Sequence, residues 1–330
     1  MLKVISFGEA LIDMLSTQIT LESGDHHEAF IKFPGGAPAN VAAAVSKLNG
    51  KASLVGMVGH DVFGDFLIHT LASLGVNTEY LLQTHQAHTP LAFVSLDTLG
   101  ERSFTFYRAP SADLCFRPEH FHESIFREAG IFHFCSNTLT HEGILQSTLH
   151  GIEQAKNAGF LISFDVNLRH NLWLEKQAER DIVYHCMTEA DIIKLSLEEL
   201  NYLRDDTPKE LYIKTLLTSG VQLIIVTDGG NPLQCYGPAN SLTLNPPSSK
   251  VVDATAAGDA FVGGLLFSLA QHSITRDRLR DFTHSLDLLA PHLHFACACG
   301  AFTVRNKGAI STLPTYHDVL ILLSENQQGS

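Results

Sequence analysis

The chain has 330 residues, 45% of them hydrophobic, and 35 acidic side chains against 22 basic ones give a formal charge of −13. That charge repels nucleic acid and anionic lipid at long range, and the length suits one large α/β domain or two smaller ones. No stretch approaches the roughly eighteen unbroken apolar residues of a spanning helix, and residues 1–7 do not form a secretory signal, so a soluble, cytoplasmic protein with no nucleic-acid or membrane partner is expected.

In chain order, short runs rich in Val, Ile, Leu and Phe at 2–7, 54–58, 131–135, 161–165, 192–195 and 223–227 predict strands. Between them, 39–48, 63–74, 142–157 and 197–203 carry apolar residues at helical spacing. This alternation predicts an α/β fold with a mostly parallel sheet covered by helices on both faces. No repeat or Pro/Ser-rich linker divides the chain, so 1–330 reads as a single domain.

Two stretches break the pattern. Residues 14–33 are polar and end in a short strand at 30–33. Residues 91–107 read as a hairpin, with a turn at Leu99-Gly100-Glu101 and two-residue alternation through Ser103-Phe104-Thr105-Phe106-Tyr107. Together they predict a small antiparallel sheet standing off the main domain, spanning 14–33 and 88–110. It would serve as a lid or a homodimer surface, or be an ordinary edge hairpin.

The six cysteines show no zinc or redox spacing and the eighteen histidines no H-E-x-x-H, which predicts buried free thiols in a reducing compartment and no His-built metal site. The chemistry concentrates elsewhere. Val251-Val252-Asp253-Ala254-Thr255-Ala256-Ala257-Gly258-Asp259 opens an apolar helix with small residues, so backbone N–H groups can approach a phosphate where the helix dipole favours it. Taken alone, Asp259 is a dipole-complementing first-turn carboxylate. Earlier, Phe33-Pro34-Gly35-Gly36-Ala37-Pro38-Ala39-Asn40 gives close backbone access through two glycines and begins a helix. Ser196-Leu197-Glu198-Glu199 has the spacing of a capping box. Thr227-Asp228-Gly229-Gly230 is a turn after an apolar strand. No G-x-G-x-x-G follows the first strand, which argues against a dinucleotide-binding oxidoreductase.

Carrying both the Gly-Gly-x-x-x-Asn element and the Asp-x-Thr-x-Ala-Gly-Asp element, the chain resembles the ribokinase-like (phosphofructokinase B type) sugar kinases. It is most similar to the fructokinase branch through Gly8-Glu9-x-x-x-Asp13, Phe106-Tyr107-Arg108, Pro110-Ser111-Ala112-Asp113, Asp165-Val166-Asn167-Leu168-Arg169, Gly308-Ala309-Ile310 and Leu313-Pro314. The resemblance implies a three-layer α/β/α sandwich with a β lid, and a kinase that transfers phosphate from ATP to a sugar, with fructose leading. Ribose, 2-keto-3-deoxygluconate and an aminoimidazole riboside are the alternative substrates, and a silent sugar or nucleotide sensor is the non-catalytic alternative.

By the same resemblance Asp259 is the general base, and the amides of Ala256, Ala257 and Gly258 form an anion hole for the transferring phosphoryl group. Asp13, Gly35, Gly36 and Asn40 line the sugar pocket, Arg169 reaches the sugar or the phosphate, and Phe104, Phe106 and Arg108 cover the sugar from the lid. Lys194, Thr227, Gly229, Cys297 and Ala301 join Ala256 and Gly258 around the nucleotide. Glu199 organises water on Mg²⁺. Asp253, Thr255, Thr303 and Gly308 mark a potassium site. Ala254 replaces the first Thr of the family's D-T-T run, and Cys297 stands where fructokinases commonly have Asn.

Overall fold

The structure is a computed structural model that describes residues 1–20, 26–96, 102–108 and 110–328. The strands are β1 (Lys3–Phe7), β2 (Leu11–Thr20), β3 (His26–Gly35), β4 (Lys51–Gly59), β5 (Leu81–Thr84), β6 (Leu91–Leu96), β7 (Arg102–Tyr107), β8 (Gly130–Cys135), β9 (Leu161–Asp165), β10 (Ile192–Ser196), β11 (Leu223–Asp228), β12 (Asn231–Tyr236) and β13 (Ser241–Leu244). The helices are α1 (Ala37–Lys47), α2 (Val62–Ser73), α3 (Glu142–Asn157), α4 (Arg180–Thr188), α5 (Leu197–Arg204), α6 (Lys209–Thr218), α7 (Ala257–Gln271), α8 (Arg276–His284), α9 (Ala290–Thr303) and α10 (Tyr316–Gln328).

Two-residue alternation explains the three layers. In β1, Val4 joins one apolar cluster while Ile5 and Phe7 join another on the opposite face. The same split separates Ile131 from Phe132 and Phe134, Leu161 from Ile162 and Phe164, and Ile192 from Ile193 and Leu195. Strands buried on both faces read as unbroken apolar runs, which is why β8 and β9 were legible as strands without any polar alternation. The first cluster holds α1, α7 and α9; the second is covered by α3, α4, α5 and α6 and includes a flat stack of Phe134 on Phe164 at 4.5 Å.

The main sheet has nine strands in the order β13-β12-β11-β10-β9-β8-β1-β4-β5. All neighbours from β11 to β5 pair in parallel, and β12 and β13 add an antiparallel edge that the sequence reading did not anticipate. From β1 the chain continues to β4 on one side while β8 lies on the other, so the strand order reverses at β1 and β8. Ligands of open α/β sheets gather beyond the carboxyl ends of strands at such a reversal.

A second, four-stranded sheet has the order β3-β2-β6-β7. Its β2–β3 and β6–β7 pairs are antiparallel, but β2 pairs with β6 in parallel, a mixed pattern where an antiparallel sheet was expected. The polar stretch expected to hold only a short strand at 30–33 forms two ten-residue strands. Polarity hid them: a sheet with one partly solvated face tolerates Ser, Thr, Gln and Lys along its length, and here β2 gains ladder partners on both sides. The expected turn at Leu99-Gly100-Glu101 lies outside the described residues. Among the described residues no helix is long and apolar enough to cross a membrane.

Candidate active site

The carboxyl ends of β1, β8, β9 and β10 and the N-termini of α1 and α7 converge on one polar cleft of about 530 Å³. Its lining includes Glu9, Asp13, Gly36, Asn40, Phe106, Asn137, Arg169, Lys194, Glu199, Ala256, Gly258 and Asp259. Gly36 caps α1 with φ 102°, and a Cβ there would come within 2.6 Å of Glu9 O, so both the conformation and the space require glycine. At Gly35 an added Cβ would collide with the Asp13 carboxylate. Those two glycines bring Asp13 and Asn40 together across the same wall.

Asn40 Nδ2 donates to Asp259 Oδ2 at 2.7 Å, joining the two sequence motifs across 219 residues. Asp259 is buried in the first turn of α7, and burial raises its pKa, opposed by the Asn40 hydrogen bond and by the charges of Arg169 and Lys194. Helix starts leave N–H groups without intrahelical partners. Here Ala256, the residue before α7, is held left-handed at φ 60°, and the Ala257 N–H donates to Ala254 O at 3.2 Å. That engages one of the three amides expected in the anion hole.

Lys194 stands beside this junction, its Nζ 3.1 Å from where a Cβ on Gly258 would lie. It pairs with Asp165 at 3.0 Å inside the protein. Asp165, Glu199 and Asp259 together outnumber this cation. Burial alone would lower the Lys194 pKa, but Asp165 and Glu199 outweigh it and raise it; burial, followed by the repulsion of Glu199 and Asp259, lifts Asp165 to about 7. Such a site gains most from a ligand that brings cations.

Ser196 and Glu199 form the capping box of α5: the Ser196 N–H donates to Glu199 Oε2 at 2.7 Å and the Glu199 N–H to Ser196 Oγ at 3.1 Å. Glu199 Oε1 also accepts from Leu168 N–H at 2.7 Å. Each carboxylate oxygen keeps a further lone pair, enough to accept a metal-bound water. Among the described residues no cluster of His, Cys, Asp and Glu could cage a metal.

A second cleft, of about 470 Å³, is lined by Thr227, Gly229, Pro246, Val251, Cys297, Gly300 and Ala301. Its lining is mostly apolar, in contrast to the polar cleft. The two clefts share Ala254 and Gly258, so the start of α7 is the wall between them. The pfkB family carbohydrate kinase model matches residues 1–316.

The chain belongs to the pfkB family of carbohydrate kinases. The kinase is 39% identical to the probable fructokinase-4 of Arabidopsis thaliana over 325 residues, 98% of this chain and 97% of the relative. It superposes on the crystal structure of fructokinase with bound ATP from Xylella fastidiosa with a TM-score of 0.93 and 42% identity, covering 98% of this chain and 99% of the other. A fructokinase double mutant from Vibrio cholerae O395, in its fructose-, ADP- and potassium-bound form, gives a TM-score of 0.84 at 32% identity, covering 98% of each chain.

In the kinase, most of the expected site residues meet at these two clefts, with one correction. Arg108 was expected to cover the sugar, but its guanidinium points into the protein. It donates to Asp113 Oδ2 at 2.7 Å and to Asn137 O at 2.8 Å, and is not on the cleft surface. An Arg with a carboxylate five residues on satisfies its charge inward, and alternation along β7 does not fix the direction of the residue after it. Phe106 lines the cleft; Phe104 lies on the same strand, with its side chain outside the described residues.

Asp253 Oδ1 accepts from the Thr255 N–H at 3.0 Å and the Thr255 hydroxyl at 2.7 Å, and its Oδ2 from the Gly308 N–H at 3.0 Å, so these three share one corner beside α7. Thr303 turns its hydroxyl back to Cys299 O at 2.9 Å. The sequence reading did not assign Glu9, Asn137 and Asn167 to the site. Glu9 and Asn167 lay inside motifs already singled out, whereas nothing around Asn137 marks it.

Proposed function

We propose that this kinase transfers the γ-phosphoryl group of ATP to fructose, giving fructose 6-phosphate and ADP. One observation carries the reading: the polar cleft and the apolar cleft meet at the N-terminus of α7, where Asp259 and the first amides of the helix stand together. Asp259 takes the proton of the attacking sugar hydroxyl as its oxygen bonds to the γ-phosphorus and ADP leaves. The amides of Ala256 and Gly258, with Lys194 and Arg169, oppose the charge developing on the phosphoryl oxygens. Thr227, Gly229, Cys297 and Ala301 flank the nucleotide base.

Glu199 would hold magnesium through water, and the bound ion would supply charge neutralisation to the phosphates. The Asp253, Thr255 and Gly308 corner is the place for potassium, which accompanies fructose and ADP in the Vibrio cholerae structure. The small sheet acts as a lid over the sugar. It also carries exposed Phe30, Ile31 and Tyr107, with Phe93 in edge-to-face contact with Phe30 and Tyr107 at 5.2 Å each, and this surface supports a homodimer, checked by sedimentation at twice the chain mass. Six free thiols suit a reducing, cytoplasmic location.

ADP release measured over a panel of fructose, ribose, 2-keto-3-deoxygluconate and an aminoimidazole riboside tests the reading. The expected result is fructose far ahead, with Asp259→Asn lowering kcat by about 10² to 10⁴. Turnover of the sugar acid but not fructose would replace the substrate, and an Asp259→Asn protein as fast as wild type would remove the base.

A further inference from the structure

Among the buried side-chain oxygens with no hydrogen-bond partner are Glu9 Oε2, Asn40 Oδ1 and Asn137 Oδ1, and all three residues line the polar cleft. Buried polar groups are nearly always paired, so acceptors left over on one cleft wall match a ligand rich in hydroxyl donors. Glu9 is the most demanding of them, because an unpaired buried carboxylate costs more than an amide. It is 1% exposed, and its other oxygen accepts from Asn137 Nδ2 at 2.8 Å. Behind it lies Arg108, whose guanidinium also holds Asn137 O, so the cation opposes the cost of burial.

Position strengthens the case. Glu9 follows β1 and Asn137 follows β8, the two strands where the sheet order reverses. The backbone of Glu9 packs on Gly36, four residues before the Asn40 that bonds Asp259.

We propose that Glu9 is a specificity-determining residue of the sugar site, accepting through Oε2 a hydrogen bond from a substrate hydroxyl other than the one phosphorylated, while Asn137 fixes the carboxylate. In this structure Oε2 is closed to solvent, so the assignment requires that sugar binding bring it to the cleft surface. The proposal rests on reading the cleft as a sugar site.

Steady-state kinetics with fructose and singly deoxygenated fructoses, for wild type and Glu9→Gln, test it. The isosteric change replaces an acceptor by a donor, and KM for fructose should rise about tenfold to a hundredfold with kcat within about threefold. The wild-type preference for fructose over one deoxyfructose should collapse, with the other preferences intact. An unchanged KM, or equal weakening of every analogue, overturns the assignment. Asn137→Ser, which keeps Glu9 but removes its donor, should raise KM in the same direction and erode the same preference; if Glu9→Gln fails to fold, this variant decides alone. Wild type inactive on every sugar would sink the reading of the site, whereas an active wild type matched by Glu9→Gln sinks this proposal only.

Discussion

Burial at the start of α7 raises the Asp259 pKa, and the Asn40 amide, Arg169 and Lys194 pull it back. A base must be ionised, so kcat/KM should fall as pH drops through that pKa, above the ordinary carboxylate range. Asn40 donates to the charged form, so Asn40→Ala should move the acid limb of the kcat/KM profile to higher pH. A limb that stays put, or moves to lower pH, would mean the hydrogen bond does not tune the base. Residue type and neighbours alone read Asp259 as a first-turn carboxylate complementing the helix dipole, and only the family resemblance singled it out as a base. Arg108 was misread because a residue name carries no direction, and only the fold shows that Asp113 and Asn137 O take its charge.

At the scale of elements, α5 shows one side chain with two jobs. Its capping box was visible in Ser196-Leu197-Glu198-Glu199, and both bonds of the box are present. Gln offers one acceptor oxygen for the two N–H groups, of Ser196 and Leu168, that Glu199 accepts from, so Glu199→Gln should lower stability by about 1–3 kcal/mol, read from denaturant unfolding. If Glu199 also steadies water on magnesium, the same variant should need more magnesium for half-maximal activity. An unaltered magnesium titration would leave Glu199 as a cap alone. The start of α7 was placed at its small residues, but the left-handed Ala256 was not legible, since alanine rarely adopts that conformation and only surrounding structure enforces it.

Across the whole molecule, the side of the sheet covered by α1, α7 and α9 buries two histidines that prefer to stay neutral. Burial, followed by nearby positive charge, depresses the pKa of His133 to about 3 and of His292 to about 4. The unfolded chain protonates these groups near pH 6.5 and the folded one does not, so stability is full above pH 6.5 and is lost as pH falls toward the folded values. Each group should cost about 1.4 kcal/mol by pH 5.5. His133 bonds Ser163 at 3.1 Å, and His133→Gln should make the fall in stability between pH 7 and 5.5 smaller by that amount, read from denaturant unfolding at both pH values. A fall as steep as that of wild type would show that His133 is not a source of the acid sensitivity.

By itself the sequence determined the period of the core strands and of the helices it marked, and hence a parallel sheet between two helical layers, because alternation and helical spacing are local properties of the chain. It also determined the glycine positions and the acid at the helix start, which are steric and chemical needs of single residues. Tertiary structure decided the rest: that β12 and β13 turn antiparallel, that polar residues make long strands in the small sheet, and that Glu9 and Asn137, 128 residues apart, share a hydrogen bond on the cleft floor. Those outcomes depend on which surfaces meet, and contact between distant segments leaves no trace in the spacing of either one.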